Sequence, residues 1–306
     1  MSQEGVQGTD GGERPVPRRA VLVVNARSRN GRHLFQEAER KLRLAGIELI
    51  AAHPLKNPKL LVPTVKRAVR EGAPMVIVGG GDGSLSQAVD ELVDRDCVFA
   101  LLPLGTANSF ARTLGIPVDL DGAIATIAGG RRRRVDLGRV NGDYFANSAA
   151  MGVSPMIGDS VPQAMKDHLG RFGYLIWAAW CMIKFRPFLL RIDVDGQRET
   201  LRALEVRIAN GSFHGGVEVV GEAEVDSGEI VVQAVTGSTK LRLLWDWLAI
   251  LTGRSRRRET TREFHGRRIS IETRPRLRVS IDGEVLTRTP AVVEVAEKAI
   301  EVVVPA

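Results

Sequence analysis

The chain has 306 residues, of which 44% are apolar and 26% charged, a composition that excludes an intrinsically disordered protein and predicts two domains. Its net charge of +7 comes from residues 254–278, which hold ten arginines against three glutamates, so one segment offers a basic surface for an anionic partner. Two cysteines, Cys97 and Cys181, form no CxxC pair, which excludes a disulfide scaffold or a zinc site and predicts a reduced, cytoplasmic protein.

The N-terminal part is predicted from composition and apolar periodicity. Residues 1–18 are rich in glycine, proline and polar residues and are predicted to form a disordered tail that lacks the apolar region of a signal peptide. From Ala20 onward, short apolar runs alternate with segments of helical periodicity, which is typical of a parallel α/β sheet with helices on its faces. The predicted strands are 20–24, 47–52, 75–78 and 98–102, and the predicted helices are 34–45, 60–70, one from about residue 85 and one after residues 103–109.

After Arg134 the pattern changes to short β-branched runs separated by glycine turns, which predicts an antiparallel, β-rich second domain. Two helical segments, about 171–186 and 239–252, interrupt these runs. The longest apolar run, 172–183, is shorter than the roughly 20 residues that a membrane-spanning helix requires. The predicted organisation is a tail (1–18), an α/β domain (19–135) and a β-rich domain (136–306), whose last strand is a candidate to return to the first domain.

A glycine-rich turn with a single acid, GGGDGS at residues 79–84, follows the third predicted strand. Glycine permits close backbone approach, and the helix that begins next offers unpaired N–H groups and a positive dipole end, so phosphate is the expected ligand. No lysine follows the glycines, and Asp82 would repel phosphate unless a divalent cation lies between them, which implies magnesium. Taken alone, the motif also fits a plain strand-to-helix turn with Asp82 at the helix N-terminus.

Two further polar loops are predicted at the same edge of the sheet. Residues 103–109 (PLGTANS) follow the fourth strand and place Thr106, Asn108 and Ser109 at a second helix N-terminus, where Thr106 either binds phosphate or caps the helix. Asn25 ends the first strand. Ligands of parallel α/β sheets bind beyond the carboxyl ends of the strands, so three polar loops there favour a nucleotide.

These motifs and later ones resemble, in order, those of soluble bacterial lipid kinases of the diacylglycerol kinase and sphingosine kinase superfamily. The resemblance runs from Ala20 to the end of the chain, and the ordered set is far more specific than a lone GGDG loop, which NAD kinases and phosphofructokinases share. The matching segments are NARSRNG (family NPxSGxG), GGGDGS (GGDGT), PLGTANSFAR (PLGTxNDFAR), RVDLGRVNGDYFAN, ANGSFHGG, VDSGEI (DDGxL) and IDGE.

The resemblance implies a fold, an activity and a set of site residues. The implied fold is an NAD-kinase-like α/β nucleotide-binding domain followed by an antiparallel β-rich domain, and the implied activity uses ATP and Mg²⁺. Glu284 matches the general base, while Asp82 and Asp136 match carboxylates that organise the magnesium. The positions that match nucleotide-binding residues are Asn25, Ser28, Gly81, Asp82, Gly83, Ser84 and Thr106.

The chain also departs from the family motifs. Ser109 replaces the aspartate of PLGTxND, and Ser86 and Gln87 replace the last two residues of GGDGTxNE. Ser227 replaces an aspartate that holds a structural magnesium in relatives, which predicts that this site is weak. Asp282, in the same Asp-Gly turn as Glu284, is expected to contribute much less than Glu284.

The tryptophans and the basic segment predict a membrane-facing surface. All four tryptophans lie in the two helical segments of the second domain, and arginines 254 and 256–258 follow the second segment, a composition typical of a membrane interface. The alternative is that both helices pack on the sheet and that the arginines form a solvated surface. Nucleic acid is not expected, because few aromatic residues lie nearby and no binding motif is recognisable.

The sequence therefore predicts a two-domain, ATP-dependent lipid kinase that is cytoplasmic and binds peripherally to anionic membranes. Its acceptor would be a diacylglycerol-like lipid, phosphatidylglycerol or a sphingoid base. The alternatives are a soluble-substrate kinase of the NAD kinase type and a nucleotide- or membrane-binding module without turnover. The sequence does not determine the oligomeric state, and a homodimer stays open.

Overall fold

The computed structural model describes residues 14–26, 29–160, 177, 180, 181, 184–218, 220, 221, 223–237 and 261–306. The predicted helix at 239–252 and residues 1–13 of the predicted tail lie outside these residues. Within the same predicted tail, Val16 packs against the N-terminal core, so at least this residue belongs to the folded part. Among the described residues, no helix is long and apolar enough to cross a membrane.

The N-terminal part alternates strands and helices, as predicted. Its elements are β1 (Arg19–Asn25), α1 (Arg29–Leu44), β2 (Glu48–Leu55), a 3₁₀ turn (Pro58–Leu60), α2 (Leu61–Arg70), β3 (Met75–Gly80), α3 (Asp82–Val89), β4 (Val98–Pro103), α4 (Ser109–Thr113) and α5 (Leu120–Gly129). Every residue of β3 and β4 is buried, as expected for strands covered on both faces. α1 begins earlier than predicted. Its first turn is polar and carries no apolar stripe, so the apolar periodicity used for the prediction did not include it.

The C-terminal part consists mainly of antiparallel strands, which confirms the predicted fold class. Its elements are β5 (Arg131–Val140), β6 (Asp143–Phe145), β7 (Ser148–Gly152), α6 (Val153–Ser160), β8 (Phe188–Val194), β9 (Gln197–Ala209), β10 (Phe213–His214), β11 (Val217–Glu218), β12 (Ile230–Thr236), β13 (Thr261–Gly266), β14 (Arg268–Arg274), β15 (Arg278–Ile281), β16 (Glu284–Arg288) and β17 (Ala291–Val304). The helix α6 was not predicted. Of the predicted helix at 171–186, residues 177, 180, 181 and 184 are described and helical.

Both parts share one mixed sheet of 15 strands, in the order β16-β15-β7-β9-β8-β14-β17-β4-β3-β1-β2, with β5, β6, β12 and β13 paired beside this path. β17 joins the two parts, because it pairs antiparallel with β14 and β5 and parallel with β4. The domain boundary predicted between residues 135 and 136 falls inside the continuous strand β5. The two parts therefore meet along shared strands.

Two hydrophobic cores flank the junction, and β17 contributes to both. Ile300 and Val302 belong to the core of the α/β part, together with Phe99 of β4. Ala291 and Val293 belong to the core of the β-rich part. In the α/β part, β1, β3 and β4 run parallel, so the polar loops that follow them lie at one edge of the sheet.

Candidate functional site

The loops that follow β3 and β4 pack against each other at the backbone. A Cβ atom added to Gly105 would lie 2.5 Å from the Cα of Gly81, so the close approach of the loops requires glycine. Asn108 adopts a left-handed conformation (φ 51°) and closes the second loop on itself. Its Oδ1 accepts the Gly105 N–H at 2.9 Å and its Nδ2 donates to the Gly105 carbonyl at 3.0 Å. Asn108 lies at the N-terminus of α4, as the PLGTANS motif predicts, but its hydrogen bonds with Gly105 were not predicted.

α3 begins at Asp82, directly after the first glycine loop. Gly81 is the N-cap residue, and no side chain caps this end, so Asp82 is not the capping residue. The Oδ1 of Asp82 instead accepts the backbone N–H of Phe110 at 3.3 Å, which connects the start of α3 to α4. A Cβ at Gly83 would meet open space. An uncapped helix N-terminus beside open space favours an anionic ligand.

Asn25 connects the end of β1 to the first turn of α3. Its Nδ2 donates to the Oγ of Ser84 at 3.2 Å. Its Oδ1 is buried and has no hydrogen-bond partner among the described residues, and buried acceptors in folded proteins are rarely left so. Thr106 is exposed on the neighbouring loop. Ser28, the remaining predicted nucleotide-binding residue, lies outside the described residues.

The loops fit a nucleotide that brings its own magnesium. Asp82 is the only acid in the two glycine loops. Among the described residues, no group of three or more His, Cys, Asp or Glu side chains is arranged to hold a metal ion. Mg²⁺ usually keeps several waters and binds one or two carboxylates together with substrate phosphates, so a single loop carboxylate is sufficient for an ion that arrives with the nucleotide.

The predicted base lies at a two-residue hairpin turn between β15 and β16. Asp282 and Gly283 both have positive φ (43° and 95°), and Ile281 pairs with Glu284, which is the geometry of the Asp-Gly hairpin turn that the sequence predicts. Glu284 is exposed, and its Oε1 accepts a hydrogen bond from the Nε2 of Gln87 at 2.9 Å. The structure thus brings Glu284 onto α3, the helix that begins at Asp82.

Asp282 is more than a turn residue, because its carboxylate accepts four hydrogen bonds. Its Oδ2 accepts the Ser86 hydroxyl at 2.6 Å and the Ala146 N–H at 2.8 Å. Its Oδ1 accepts the backbone N–H groups of Asn147 at 3.2 Å and Ser148 at 3.0 Å. Burial raises the pKa of the Asp282 carboxyl, and these hydrogen bonds, led by that from Ser86, act in the opposite direction. Asp282 therefore fastens the turn both to α3 and to the start of β7.

The surroundings of the turn are acidic. Partial burial raises the pKa of Asp90, at the end of α3, to about 6, and the charges of Asp143, Glu91 and Asp282 act in the same direction. Ionised carboxylates that lie close together raise one another's pKa values. A cation brought by a substrate would therefore be favoured near this turn.

Asp136, the second predicted magnesium carboxylate, is a buried connection between segments. Its Oδ2 accepts the Gly228 N–H at 2.8 Å, and its Oδ1 accepts the Lys298 N–H at 2.7 Å. The side chain of Asn210 donates a hydrogen bond to the backbone carbonyl of Asp136 at 2.9 Å. Both carboxylate oxygens are thus engaged by backbone amides, and none of these bonds reaches the nucleotide loops. Its role at magnesium stays a prediction.

Comparison with known proteins places both parts of the chain. Residues 19–140 match the diacylglycerol kinase catalytic domain, and residues 147–304 match the YegS C-terminal NAD kinase beta sandwich-like domain. The chain belongs to the diacylglycerol kinase family. Diacylglycerol kinases from Staphylococcus aureus strains NCTC 8325 / PS 47 and COL are each 28% identical to it over 297 residues, which cover 94% of this chain and 93% of theirs.

Solved structures support the same fold. The crystal structure of a diacylglycerol kinase from Bacillus anthracis str. Sterne superposes with a TM-score of 0.76 at 23% identity, covering 94% of this chain and 97% of that one. Another chain from the same organism gives a TM-score of 0.79 at 20% identity, covering 97% and 98%. The recognised family is confirmed, and this chain is a kinase by family.

The departures from the diacylglycerol kinase motifs have structural explanations. Ser109 Oγ accepts the Gly216 N–H at 3.1 Å, which holds the β10–β11 turn against the second glycine loop.

Asn210, in the ANGSFHGG motif, is fully buried, and its Nδ2 donates to the carbonyls of Asp136 and Ala146 at 2.9 Å each. Sequence reasoning gave Asn210 no role of its own, although the motif contains it. The segment that follows β9 thus contacts the second glycine loop through Gly216 and the strand β5 through Asn210.

The side chains at the position of the family's structural magnesium bind other protein groups. Asp226 forms an ion pair with Arg133, and Ser227 Oγ donates to the Glu224 carbonyl at 3.0 Å. We therefore expect millimolar Mg²⁺ without nucleotide to change the melting temperature by less than about 2 °C, since a ligand below its Kd adds little stability. Calorimetry with and without MgCl₂, at ionic strength matched with NaCl, measures this. A rise of many degrees that NaCl does not reproduce would contradict the expectation.

Proposed function

We propose that the chain is an ATP-dependent lipid kinase that transfers the γ-phosphate of ATP to the hydroxyl of a diacylglycerol-like lipid. One observation carries the proposal: the 2.9 Å hydrogen bond from Gln87 to Glu284 brings the predicted base onto the helix that begins at Asp82. Asp82 and Gln87 are separated by about 8 Å along the helix axis, a span that suits a phosphate chain with the acceptor at its end.

Five of the predicted residues have a specific role in this proposal. The backbone N–H groups around Gly81 and Gly83, with Thr106, bind the phosphates at the start of α3. Asp82 would hold Mg²⁺, and the bound ion would supply positive charge against the transferring phosphoryl group. Glu284 accepts the proton of the lipid hydroxyl as the hydroxyl oxygen attacks the γ-phosphorus. The bond from that phosphorus to the β–γ bridging oxygen breaks, and ADP leaves with the electron pair.

Diacylglycerol is the first acceptor to test, because the curated relatives from S. aureus are named diacylglycerol kinases. The full chain is incubated with γ-labelled ATP, MgCl₂ and mixed micelles that contain diacylglycerol, phosphatidylglycerol or sphingosine. We expect a labelled lipid product in amounts equal to the ADP formed, and none without magnesium. ATP binding without lipid-dependent ADP formation for any acceptor would favour the alternative of a binding module without turnover.

The acceptor would be met at a membrane surface. Trp180 is 41% exposed, stacks on Trp177 with ring centroids 4.5 Å apart, and carries the Lys184 ammonium 4.0 Å from its own ring centroid. An exposed indole beside a cation suits the headgroup region of an anionic bilayer. Arg256, Arg257 and Arg258 lie outside the described residues, so their part in this surface rests on the sequence alone.

We expect binding to anionic vesicles to exceed binding to neutral ones and to weaken with salt, because the screening length falls from about 10 Å at 0.1 M to about 3 Å at 1 M. Sedimentation with phosphatidylglycerol-containing and pure phosphatidylcholine vesicles measures it. Changing arginines 256–258 together to serine should lower binding and spare activity on detergent-dispersed lipid. The matched control changes Lys56, Lys59 and Arg70, exposed cations of the α/β part, to serine. Equal vesicle binding by both triple variants would contradict the membrane role and favour the alternative that the arginines form a solvated surface.

A further inference from the structure

The hairpin turn that contains Asp282, Gly283 and Glu284 is called the base turn here. The second helical turn of α3 contacts it through two adjacent residues. Ser86 Oγ donates to Asp282 at 2.6 Å, and Gln87 Nε2 donates to Glu284 at 2.9 Å. We propose that Gln87 is a positioning residue that aims the Glu284 carboxylate at the acceptor hydroxyl. This inference rests on the proposed function of Glu284 as the base. Gln87 acts only through Glu284, since its donor occupies Oε1 and leaves Oε2 to accept the proton.

The neighbouring contact makes the Gln87 hydrogen bond well defined. Gln87 and Glu284 are both exposed, and an exposed polar pair alone fixes little. Asp282, however, is held by the Ser86 hydroxyl and by three backbone N–H groups of residues 146–148. Charge-assisted hydrogen bonds of this kind are strong and directional. They fix the turn relative to α3, so the gap that the Gln87 side chain spans is set by the backbone of both elements.

The residue type at position 87 matters because the partner is a carboxylate. A glutamate there, as in the motif that this segment resembles, would place a second carboxylate at hydrogen-bond distance from Glu284. Two carboxylates that close cannot both be ionised at little cost. Glutamine has the same length, donates an N–H group and carries no charge. It therefore orients Glu284 and leaves it the only carboxylate in this contact.

The experiment is a double-mutant cycle between positions 87 and 284. Gln87→Met keeps the length of the side chain and removes the donor, and we expect kcat to fall about 3- to 10-fold with an unchanged KM for ATP. In the Glu284→Gln background, where no base remains to be aimed, the same substitution should change kcat less than about 2-fold. Gln87→Glu, which has the same shape but no donor, should lose at least as much as Gln87→Met.

The control is Gln36→Met, the same substitution on the exposed face of α1, which should leave kcat and the melting temperature unchanged. Wild-type kcat in Gln87→Met and Gln87→Glu, or an equal loss from Gln87→Met in both backgrounds, would overturn the inference. The proposed function fails separately: if Glu284→Gln alone keeps wild-type kcat, Glu284 is not the base. If Glu284→Gln is slow and the position 87 variants are not, only the positioning role of Gln87 is lost.

Discussion

Replacing Glu284 by glutamine is expected to slow phosphoryl transfer by roughly 10²–10⁴-fold, because the amide keeps the size and shape of the side chain but cannot accept a proton. The hydrogen bond from Gln87 can persist, since the Oε1 of a glutamine at 284 still accepts it. ATP binding should survive, because the glycine loops and Asn25 lie on other segments. Single-turnover measurement with labelled ATP and saturating lipid reports the chemical step directly.

The matched control is Glu48→Gln, which removes an exposed carboxylate at the far edge of the sheet, where it pairs only weakly with Arg19. It should leave the single-turnover rate unchanged. Phosphoryl transfer draws mainly on positioning and electrostatics, so a loss near the lower end of the range is compatible with a base that accepts the hydroxyl proton late in the reaction. Unchanged kcat in Glu284→Gln would remove Glu284 from the mechanism.

Asp82→Ala is expected to lower turnover by roughly 10³-fold or more, since it removes the only loop carboxylate able to hold the magnesium, which contributes several kcal/mol to the transition state. The fold should survive, because Gly81 and not Asp82 is the N-cap of α3. The carboxylate also accepts the Phe110 N–H, so the alanine variant loses one contact with α4 as well. Steady-state kinetics over a range of Mg²⁺ concentrations, with circular dichroism of the variant, separates the two effects.

Asp82→Asn separates the charge from the hydrogen bond. Asparagine retains an oxygen that can accept the Phe110 N–H, so α4 stays in place while the charge is lost. The comparison variant is Asp119→Asn, because Asp119 caps α5 through the Gly122 N–H at 2.8 Å and asparagine caps about as well. We expect Asp82→Asn to be nearly as inactive as Asp82→Ala and Asp119→Asn to be fully active. An active Asp82→Asn enzyme would contradict the magnesium assignment.

The conformation of the two glycine loops could be predicted from sequence because its signal is local. Glycines, one acid and the following apolar spacing lie within a few residues of one another, and strand, turn and helix all follow from that short segment. The hydrogen bonds between Asn108 and Gly105, and the packing of Gly105 on Gly81, were missed for a different reason. Their roles come from the packing of one loop on the next, and the distance between Gly105 and Gly81 has no counterpart in either motif taken separately.

The base turn could be predicted only in part. The Asp-Gly pair indicates a hairpin, which the structure has, but the partners of Asp282 are remote, with Ser86 196 positions away in the sequence. A single sequence contains no signal for such a contact. For the same reason Asp136 and Asn210, whose hydrogen bonds join distant segments, read as ordinary turn or motif residues. Their burial and these hydrogen bonds appear only in three dimensions.

During synthesis, the α/β part leaves the ribosome with one edge of β4 unpaired, because the strand that covers this edge, β17, is translated only after the whole β-rich part. An unpaired edge next to apolar strands is prone to associate with other chains. Pairing across so long a stretch of chain also makes folding slow. The sheet of the α/β part is therefore complete only once β17 has been made, and a nascent chain that pauses before β17 would expose this edge of β4.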